Sequence, residues 1–337
     1  MENVKLSPAQ KFWKTLKSNP IVVLLVAVGL IVGFTRDNFF SWSNFGNLAS
    51  NTAVRFLIAL GVSGCLITKG TDLSAGRQVG FAACLAGVLL QRANYAGRLF
   101  PNMPEMNMGV VLLIVLAIGA VFGLLNGLII SFLNVPPFIA TLGTQTIIYG
   151  ISLVFTDAQP IGGFQESYTN LINGYLGNPK GFYLPYLLFV AVVFGLFFWF
   201  LYNKTCHGKY MYAIGGNEIA AEVSGVNTKK AKIIIYMTAG IMYAMAGYLL
   251  AAKSGGASAS MGNGYELEAI AGCTIGGVST TGGIGTIGGV LVGVLVFEFL
   301  KIVLQFLGVN PYYNYMVQGI VIVTAVALDI RKYIAKK

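Results

Sequence analysis

The side chains that could do chemistry in this sequence are few, and the first group stands in TKGTDLSAGR, residues 68–77. Asp72 and Ser74 occur there beside two cations. Three interpretations are open for Asp72: it caps the following helix, it pairs with Lys69 or Arg77, or it belongs to a gate in a polar pathway. Ser74 fits either a structural or a pathway role. The group therefore predicts hydrogen-bonding and ion-pair chemistry.

A second polar group follows two prolines in NVPPFIATLGT, residues 134–144. Pro136 and Pro137 forbid a continuous helix, because proline lacks an N–H and its ring clashes with the preceding turn. Thr141 and Thr144 then share one helical face, where they either bond freed backbone groups or line a wet route for a hydroxylated solute. Asn126 is a buried amide that either ties helices together or contacts that solute. The candidate pathway residues are Asp72, Ser74, Asn126, Thr141 and Thr144.

Patterns typical of enzymes and metal sites do not occur. His207 is the single histidine, and no G-x-x-x-x-G-K-[ST] phosphate loop is present. The cysteines lack CxxC or metal-type spacing, so they are expected to be small buried apolar residues. Glu298 and Lys301 stand three residues apart and are expected to neutralise each other. We therefore expect no catalytic residue, metal ligand or cofactor in this chain. The cysteines are Cys65, Cys84, Cys206 and Cys273.

The elements that position these residues must be membrane helices. Of 337 residues, 56% are hydrophobic and 10% are charged, and the mean hydropathy is +0.73. Soluble domains carry about 25% charged residues. Residues 109–133 form one apolar run without the alternation of a barrel strand. The sequence therefore predicts an all-α polytopic membrane protein.

Ten segments are apolar enough to be predicted as transmembrane helices. They form a single membrane domain, residues 20–330, with no soluble domain. Residues 1–19 are predicted to be a cytoplasmic or interfacial segment, because aromatic and basic residues alternate there, and residues 331–337 a basic cytoplasmic tail. The predicted spans are 20–34, 53–69, 77–92, 109–133, 138–156, 182–202, 232–252, 266–281, 284–307 and 312–329.

The basic residues predict the orientation. An even number of spans puts both termini on one side, which then carries fifteen Lys and Arg residues against five on the other. Cytoplasmic loops are enriched in Lys and Arg, so both termini are predicted to be cytoplasmic. The net charge of +10 is thereby explained without a nucleic-acid partner.

A short capped helix is predicted in the cytoplasmic segment 203–231. Asn217 is a good N-cap, Glu218 lies in the first turn, and Gly225 can end the helix. Ile219, Val223 and Val226 would form an apolar ridge along it. So short a helix is marginal alone in water, so lipid headgroups, the protein's own loops or a partner must cover the ridge.

Residues 276–289, GGVSTTGGIGTIGG, contain seven glycines. Such a backbone permits a re-entrant turn or a close approach of two helices, and both occur in membranes only where protein or water shields the backbone.

Five longer motifs occur in order along the chain: TKGTDLSAGRQVG (68–80), NGLIISFLNVPPFIATLGT (126–144), YAIGGNEIAAEVSGVN (212–227), YELEAIAGCTIGGVSTTGGIGTIGG (265–289) and GVNPYYNYMVQG (308–319). Together they resemble the sugar branch of the ribose and branched-chain amino-acid permease family of ABC importers. TDLSAGRQVG in particular is similar to the form found in galactose and methyl galactoside permeases. The resemblance implies an ABC importer permease fold with a short cytoplasmic coupling helix, in the bacterial cytoplasmic (inner) membrane.

The resemblance also implies partners and coupling residues. The expected partners are a second copy of the chain, ABC ATPase subunits that carry ATP and Mg, an extracytoplasmic sugar-binding protein, and membrane lipid. The outer segments 93–108, 157–181 and 253–265 are candidates for docking the binding protein. The expected cargo is a monosaccharide, with galactose and methyl galactosides favoured. The coupling residues are Gly215, Gly216, Asn217, Glu218, Ile219, Glu222, Val223 and Gly225.

Two other classes remain as alternatives. Broken helices also suit an ion-coupled secondary sugar transporter, but such proteins usually hold several carboxylates deep in the bundle, and only Glu298 fits here. A lipid-processing enzyme would need a catalytic cluster of His, Asp or Cys, and the sequence shows none.

Overall fold

A computed structural model of the chain describes residues 20–178 and 181–334. The described residues form thirteen helices and one two-stranded hairpin. The predicted N-terminal segment, residues 1–19, lies outside them. In chain order the elements are α1 (Pro20–Thr35), α2 (Trp42–Ile67), α3 (Ala75–Leu89), α4 (Met108–Phe132), α5 (Pro137–Thr156), α6 (Glu166–Ile172), β1 (Tyr175–Gly177), β2 (Tyr183–Pro185), α7 (Tyr186–Lys204), α8 (Cys206–Gly216), α9 (Glu218–Val223), α10 (Thr228–Ser254), α11 (Tyr265–Ile275), α12 (Ile287–Phe306) and α13 (Pro311–Ile334).

A helix coincides with each of the ten predicted spans: α1 to α5, α7, and α10 to α13. Within the described part of the chain, six helices are both long and apolar enough to cross a bilayer, namely α2, α4, α5, α7, α10 and α12. Two shorter apolar stretches, Ala75–Leu89 and Tyr315–Thr324, accompany them. The predicted membrane architecture of several spanning helices is therefore confirmed, while the full number of spans stays a prediction.

Several predicted boundaries were wrong. The second span was placed at 53–69, but α2 starts at Trp42, because Ser41 caps it by accepting from the Asn44 N–H. The eighth was placed at 266–281, but α11 ends at Ile275, where the glycine-rich segment begins. The last helix continues to Ile334 and so enters the predicted tail. The first two errors come from using hydropathy, which does not detect a polar first turn or a glycine stop. The third has the same origin, because hydropathy also ends a helix too early where its last turns are charged.

Helix α10 lies at the centre of the bundle and packs against α2, α3 and α4. Glycines make the α4 contact close. A Cβ atom at Gly123 would lie 2.2 Å from the Tyr236 carbonyl oxygen, and one at Gly240 would lie 2.1 Å from the Gly119 carbonyl oxygen. Small residues at such crossings let helix backbones approach each other, which is how helices associate in lipid without a hydrophobic driving force.

The glycine-rich segment turns the chain and also lets two helices approach each other closely. Residues 276–286 are not helical, and Gly277, Gly282 and Gly283 have positive φ angles, so the chain turns back there. On either side of the turn α11 and α12 approach closely, since a Cβ atom at Gly293 would lie 1.8 Å from the Gly272 carbonyl oxygen. The predicted close approach of two helices is confirmed, and the re-entrant turn stays a prediction.

The bundle has two distinct ends. At one end the Gly283 N–H donates to the Ile67 carbonyl at the close of α2 (2.8 Å), next to α8 and α9. We call this the α8–α9 end. At the opposite end the loops after α3, α5 and α10 meet in isolated bridges, Gln91 with Phe164 and Ile161 with Ala257. This separation of loops agrees with the predicted alternation of helix directions.

Candidate functional site

Asn217 is the junction between two short helices at the α8–α9 end. It is the C-cap of α8, donating its N–H to the Ala213 carbonyl (3.0 Å), and the N-cap of α9, with Oδ1 accepting from the Ala220 N–H (3.0 Å). Glu218 lies in the first turn of α9, where the helix dipole favours a carboxylate. The predicted cap is confirmed, but the helix α8 before it was not predicted.

Gly225 ends α9 in a Schellman motif. Its φ is +87°, its N–H donates to the Glu222 carbonyl (2.9 Å), and the Val226 N–H donates to the Ala221 carbonyl (3.0 Å). This is the usual pattern in which a glycine in the left-handed region satisfies the last carbonyls of a helix. The predicted role of Gly225 is confirmed.

The apolar ridge of α9 is shorter than predicted. Ile219 and Val223 are 75% and 85% exposed, so they project from the molecule. Val226 was predicted to continue this ridge, and that was wrong: it packs inward against Ala221, Ala231 and Ile214. The Schellman turn reverses the chain after Ser224, which directs Val226 beneath the helix. The exposed knob consists of Ile219 and Val223 alone.

An ion pair fixes α9 to the transmembrane bundle. The Lys232 ammonium in the first turns of α10 lies 2.6 Å from the Glu218 carboxylate. Glu218 is half exposed, so the pair adds little stability, about 0–1 kcal/mol, but it restricts the angle between the two helices. Glu222 is exposed beside the knob.

Gly215 brings α8 into direct backbone contact with two other motifs. A Cβ atom there would lie 1.8 Å from the Ile67 carbonyl oxygen and 2.4 Å from the Gly283 nitrogen. Lys69 Nζ also donates to the Gly216 carbonyl (3.3 Å), and the Tyr212 hydroxyl donates to the Gly285 carbonyl (2.8 Å). The end of α2, the glycine-rich turn and the α8–α9 segment therefore meet. The sequence carried no signal for this long-range contact.

Partial burial affects two titratable groups of α8. Desolvation raises the pKa of the Tyr212 phenol, so this hydroxyl stays a neutral donor to Gly285. Desolvation lowers the pKa of His207, which favours its neutral form.

The five candidate pathway residues lie together at the start of α3. Asp72 Oδ1 accepts from the Ser74 N–H (2.9 Å) and from the Ser74 hydroxyl (2.5 Å). Ser74 Oγ in turn accepts from Gln78 Nε2 and from Asn126 Nδ2, both at 2.9 Å. These four side chains are almost completely buried. Asp72 thus fixes the turn immediately before α3 through Ser74, the N-cap residue, but no side-chain capping bond is formed to the first turn of the helix, so the capping interpretation is not confirmed.

Asn126 and the two threonines extend this network to α4 and α5. The Thr144 hydroxyl donates to Asn126 Oδ1 (2.7 Å). Thr141 Oγ1 accepts from the Leu73 N–H (3.1 Å) and donates to the Pro137 carbonyl one helical turn earlier (2.8 Å). We call the set Asp72, Ser74, Gln78, Asn126, Thr141 and Thr144 the Asp72 network. Gln78 was missed, although it lies one helical turn after Ser74.

Asp72 does not pair with the neighbouring cations, which was the second interpretation. Lys69 is directed to Gly216, as described above, and Arg77 donates to Asn263 Oδ1 (2.9 Å) with its guanidinium 4.0 Å from the Tyr149 ring centre. Among the ion pairs of residues 20–178 and 181–334, none includes Asp72. Its carboxylate is held by hydroxyl and backbone donors.

A second polar group joins α2, α11 and α12. Lys301 Nζ lies 2.8 Å from Glu298 Oε1, as predicted, and 2.7 Å from Glu268 Oε2. Arg55 Nε lies 3.3 Å from Glu268 and 3.4 Å from Glu298, with its guanidinium 3.2 Å from the Tyr265 ring centre. We call Arg55, Glu268, Glu298 and Lys301 the Arg55 cluster. It holds two cations and two carboxylates, so its charges balance.

The cysteines are placed largely as expected. Cys65, Cys84 and Cys273 are buried, and Cys206 at the start of α8 is exposed.

Spanning helices, a broken glycine-rich turn and a projecting two-residue knob together define a polytopic membrane protein of the permease class. The sequence pattern of the family described as "Branched-chain amino acid transport system / permease component" matches residues 44–326. The chain belongs to this family.

Curated relatives match over nearly their whole length. The galactose/methyl galactoside import permease protein MglC of Escherichia coli (strain K12) is 46% identical over 97% of this chain and 98% of its own. The protein of the same name from Haemophilus influenzae gives the same values. The ribose import permease protein RbsC of Escherichia coli (strain K12) is 35% identical over 96% of each chain. No solved structure matches the chain significantly.

Proposed function

We propose that this chain is the membrane permease subunit of a binding-protein-dependent ABC importer that moves galactose and methyl galactosides into the cell. The observation that carries the proposal is the 46% identity with galactose/methyl galactoside import permeases over 97% of the chain. Ribose import permeases are also relatives but are less similar, at 35% identity. The first resemblance therefore supports galactosides as cargo.

Energy for import reaches the chain through contact. ATP and Mg bind to partner ATPase subunits, and the exposed pair Ile219 and Val223 inserts into a groove of that partner. Burying one such side chain contributes about 1.5–3 kcal/mol. The remaining coupling residues shape or surround this pair: Gly215, Gly216, Asn217, Glu218, Glu222 and Gly225.

Motion of the knob is transmitted along the contacts described above. Gly215 leaves no space between α8, the end of α2 and the glycine-rich turn, so a push on α9 displaces all three together. The Glu218–Lys232 pair connects the same unit to α10, and Lys69 connects it to the loop between α2 and α3. Tilting these helices alternates access to a central route.

The assembly follows from the same proposal. The chain has about ten spans in the bacterial cytoplasmic membrane with both termini and the α8–α9 end in the cytoplasm, and it pairs with a second copy of itself. The loops at the opposite end, within 93–108, 157–181 and 253–265, dock the extracytoplasmic sugar-binding protein. Asp72, Ser74, Asn126, Thr141 and Thr144 lie beside the sugar pathway.

The ion-coupled alternative is not favoured. Glu298, the carboxylate on which it depended, is paired with Arg55 and Lys301, and the relatives are import permeases.

The test is import by the reconstituted assembly. The chain, its ATPase partner and its binding protein are placed in vesicles, and uptake of labelled galactose and ATP hydrolysis are measured together. Changing Ile219 and Val223 to Ser is expected to lower ATPase co-purification and uptake at least tenfold, since about 3 kcal/mol or more of apolar contact is lost. Replacing Gly216 or Glu222 is expected to leave ATP hydrolysis but uncouple it from uptake.

Leu171→Ser is the matched control, because Leu171 is also a half-exposed apolar residue on a short helix, but at the opposite end. It should leave ATPase co-purification unchanged. Normal uptake by the Ile219→Ser/Val223→Ser variant would exclude α9 as the coupling contact. Accumulation of sugar by the chain alone would refute the whole proposal.

A further inference from the structure

A polar cavity of about 440 Å³ opens at the end of the bundle opposite α8 and α9. Its walls are the loop between α1 and α2, the first turns of α2, the last turn of α10 and the last turn of α12. Binding pockets for small molecules measure about 300–1,000 Å³, so the space suits a single small ligand. It lies away from both the Asp72 network and the α9 knob.

Amide and hydroxyl groups dominate the lining. Asn44, Asn47 and Asn51 follow one another along α2, and Gln305 faces them from α12. Such groups both donate and accept hydrogen bonds, as a sugar hydroxyl also does. A lipid-facing gap would instead be lined by apolar residues, because unpaired amides in hydrocarbon cost several kcal/mol each.

Part of this lining is fixed by its own hydrogen bonds. Asn44 Nδ2 donates to the Phe39 carbonyl (2.7 Å), which leaves its Oδ1 free to accept, and the Lys253 ammonium donates to Asn51 Oδ1. Within the described residues no side-chain hydrogen bond is formed by Asn47 or Gln305, and both are exposed to the cavity opening. The cavity therefore combines positioned groups with groups that still lack partners.

The charge of the lining argues for a neutral ligand. No carboxylate lines the cavity among the described residues, and its single cation, Lys253, is already engaged by Asn51. Phe306 adds an aromatic ring at the same wall, where the C–H face of a sugar can pack.

From this lining we infer that the cavity is the site where a neutral monosaccharide first binds the permease after it leaves its carrier. The inference rests on the proposed function for the identity of the ligand. Asn47 and Gln305 bond its hydroxyls from opposite walls, while Phe306 and Ile302 contact its carbon face.

The experiment is photolabelling of the full-length chain in vesicles, without ATPase or binding protein. The probe is a diazirine derivative of methyl galactoside, and labelled peptides are identified by mass spectrometry. We expect label on the segments that contain residues 38–51 and 302–306, with protection by excess methyl galactoside. Asn47→Ala and Gln305→Ala should each reduce protected labelling about three- to tenfold, which corresponds to one lost hydrogen bond.

The matched controls are Asn94→Ala and Gln159→Ala, which change exposed amides in other loops of the same end. Both control variants should show the same protected labelling as the unchanged chain, because the binding protein that these loops are proposed to dock is absent from the vesicles. Protected label elsewhere in the chain, or unchanged protected labelling in both cavity variants, would overturn the inference. Because no ATPase is present, failure of ATP-driven import in the reconstituted assembly would leave this result intact and would count only against the proposed function.

Discussion

The Asp72 network and the Arg55 cluster both place carboxylates inside the helix bundle, but they compensate the buried charge in different ways. In the Asp72 network one carboxylate oxygen accepts from the Ser74 hydroxyl and N–H, two side-chain amides donate to that serine, and no cation is present. The Arg55 cluster places two carboxylates against two cations. Both connect three or more helices, so both position the bundle, but only the second depends on charge balance.

The difference determines which substitutions each group tolerates. A group held by neutral hydrogen bonds loses about 1 kcal/mol for each bond that is removed. A balanced ion cluster loses more when one partner is removed, because the remaining charges stay in a poorly solvated place without compensation. Substitutions that alter charge but preserve shape therefore distinguish the two groups.

The largest loss of stability is expected from Glu298→Gln. It leaves Arg55 and Lys301 facing a single carboxylate, Glu268. Breaking a buried pair costs about 3–5 kcal/mol, and the two cations are about one-fifth exposed, so we expect about 3 kcal/mol. The measurement is the thermal unfolding midpoint of the purified chain in detergent, which should fall by several degrees.

Glu298→Gln combined with Lys301→Met is the internal control for charge. It leaves Arg55 paired with Glu268, so most of the lost stability should return. If the double variant is no more stable than Glu298→Gln alone, the cluster is held by packing and not by charge balance.

Asp72→Asn should have a much smaller effect than Glu298→Gln. The amide keeps the Oδ1 acceptor for Ser74 and removes a buried charge that has no cation beside it, so the free energy of unfolding should change by less than about 1 kcal/mol. Asp72→Ala removes both bonds and should cost about 2 kcal/mol. Urea or thermal unfolding of both variants tests the order. Equal losses for Asp72→Asn and Glu298→Gln would show that the two groups do not differ.

Whether an interaction could be predicted from the sequence depends on how far apart its residues lie along the chain. The cap at Asn217 and the stop at Gly225 depend on residues within one turn, so both were predictable. Val226 was not, because its direction depends on the turn geometry after Ser224. Lys301 was paired correctly with Glu298, three residues away.

Contacts between residues that are distant in the sequence were not predicted. Arg55 meets Glu268 and Glu298 across more than two hundred residues, and no local pattern encodes that distance. The candidate pathway residues were identified one by one, from their polarity in apolar surroundings. Their connection into one network depends on how α3, α4 and α5 pack, which periodicity does not show.

The smallest loss of stability from one substitution is expected for the single hydrogen bond between α4 and α5. Thr144→Val removes the donor to Asn126 Oδ1 and should cost about 0.6 kcal/mol, the average found for hydrogen bonds between membrane helices. Asn126→Leu removes this bond and the one to Ser74, so about 1–2 kcal/mol is expected. The Asn126→Leu/Thr144→Val double variant should cost no more than Asn126→Leu alone, because the bond is already absent. Additive losses in unfolding experiments would mean that Thr144 is stabilised by another contact, such as its approach to the Thr141 carbonyl, and not by Asn126.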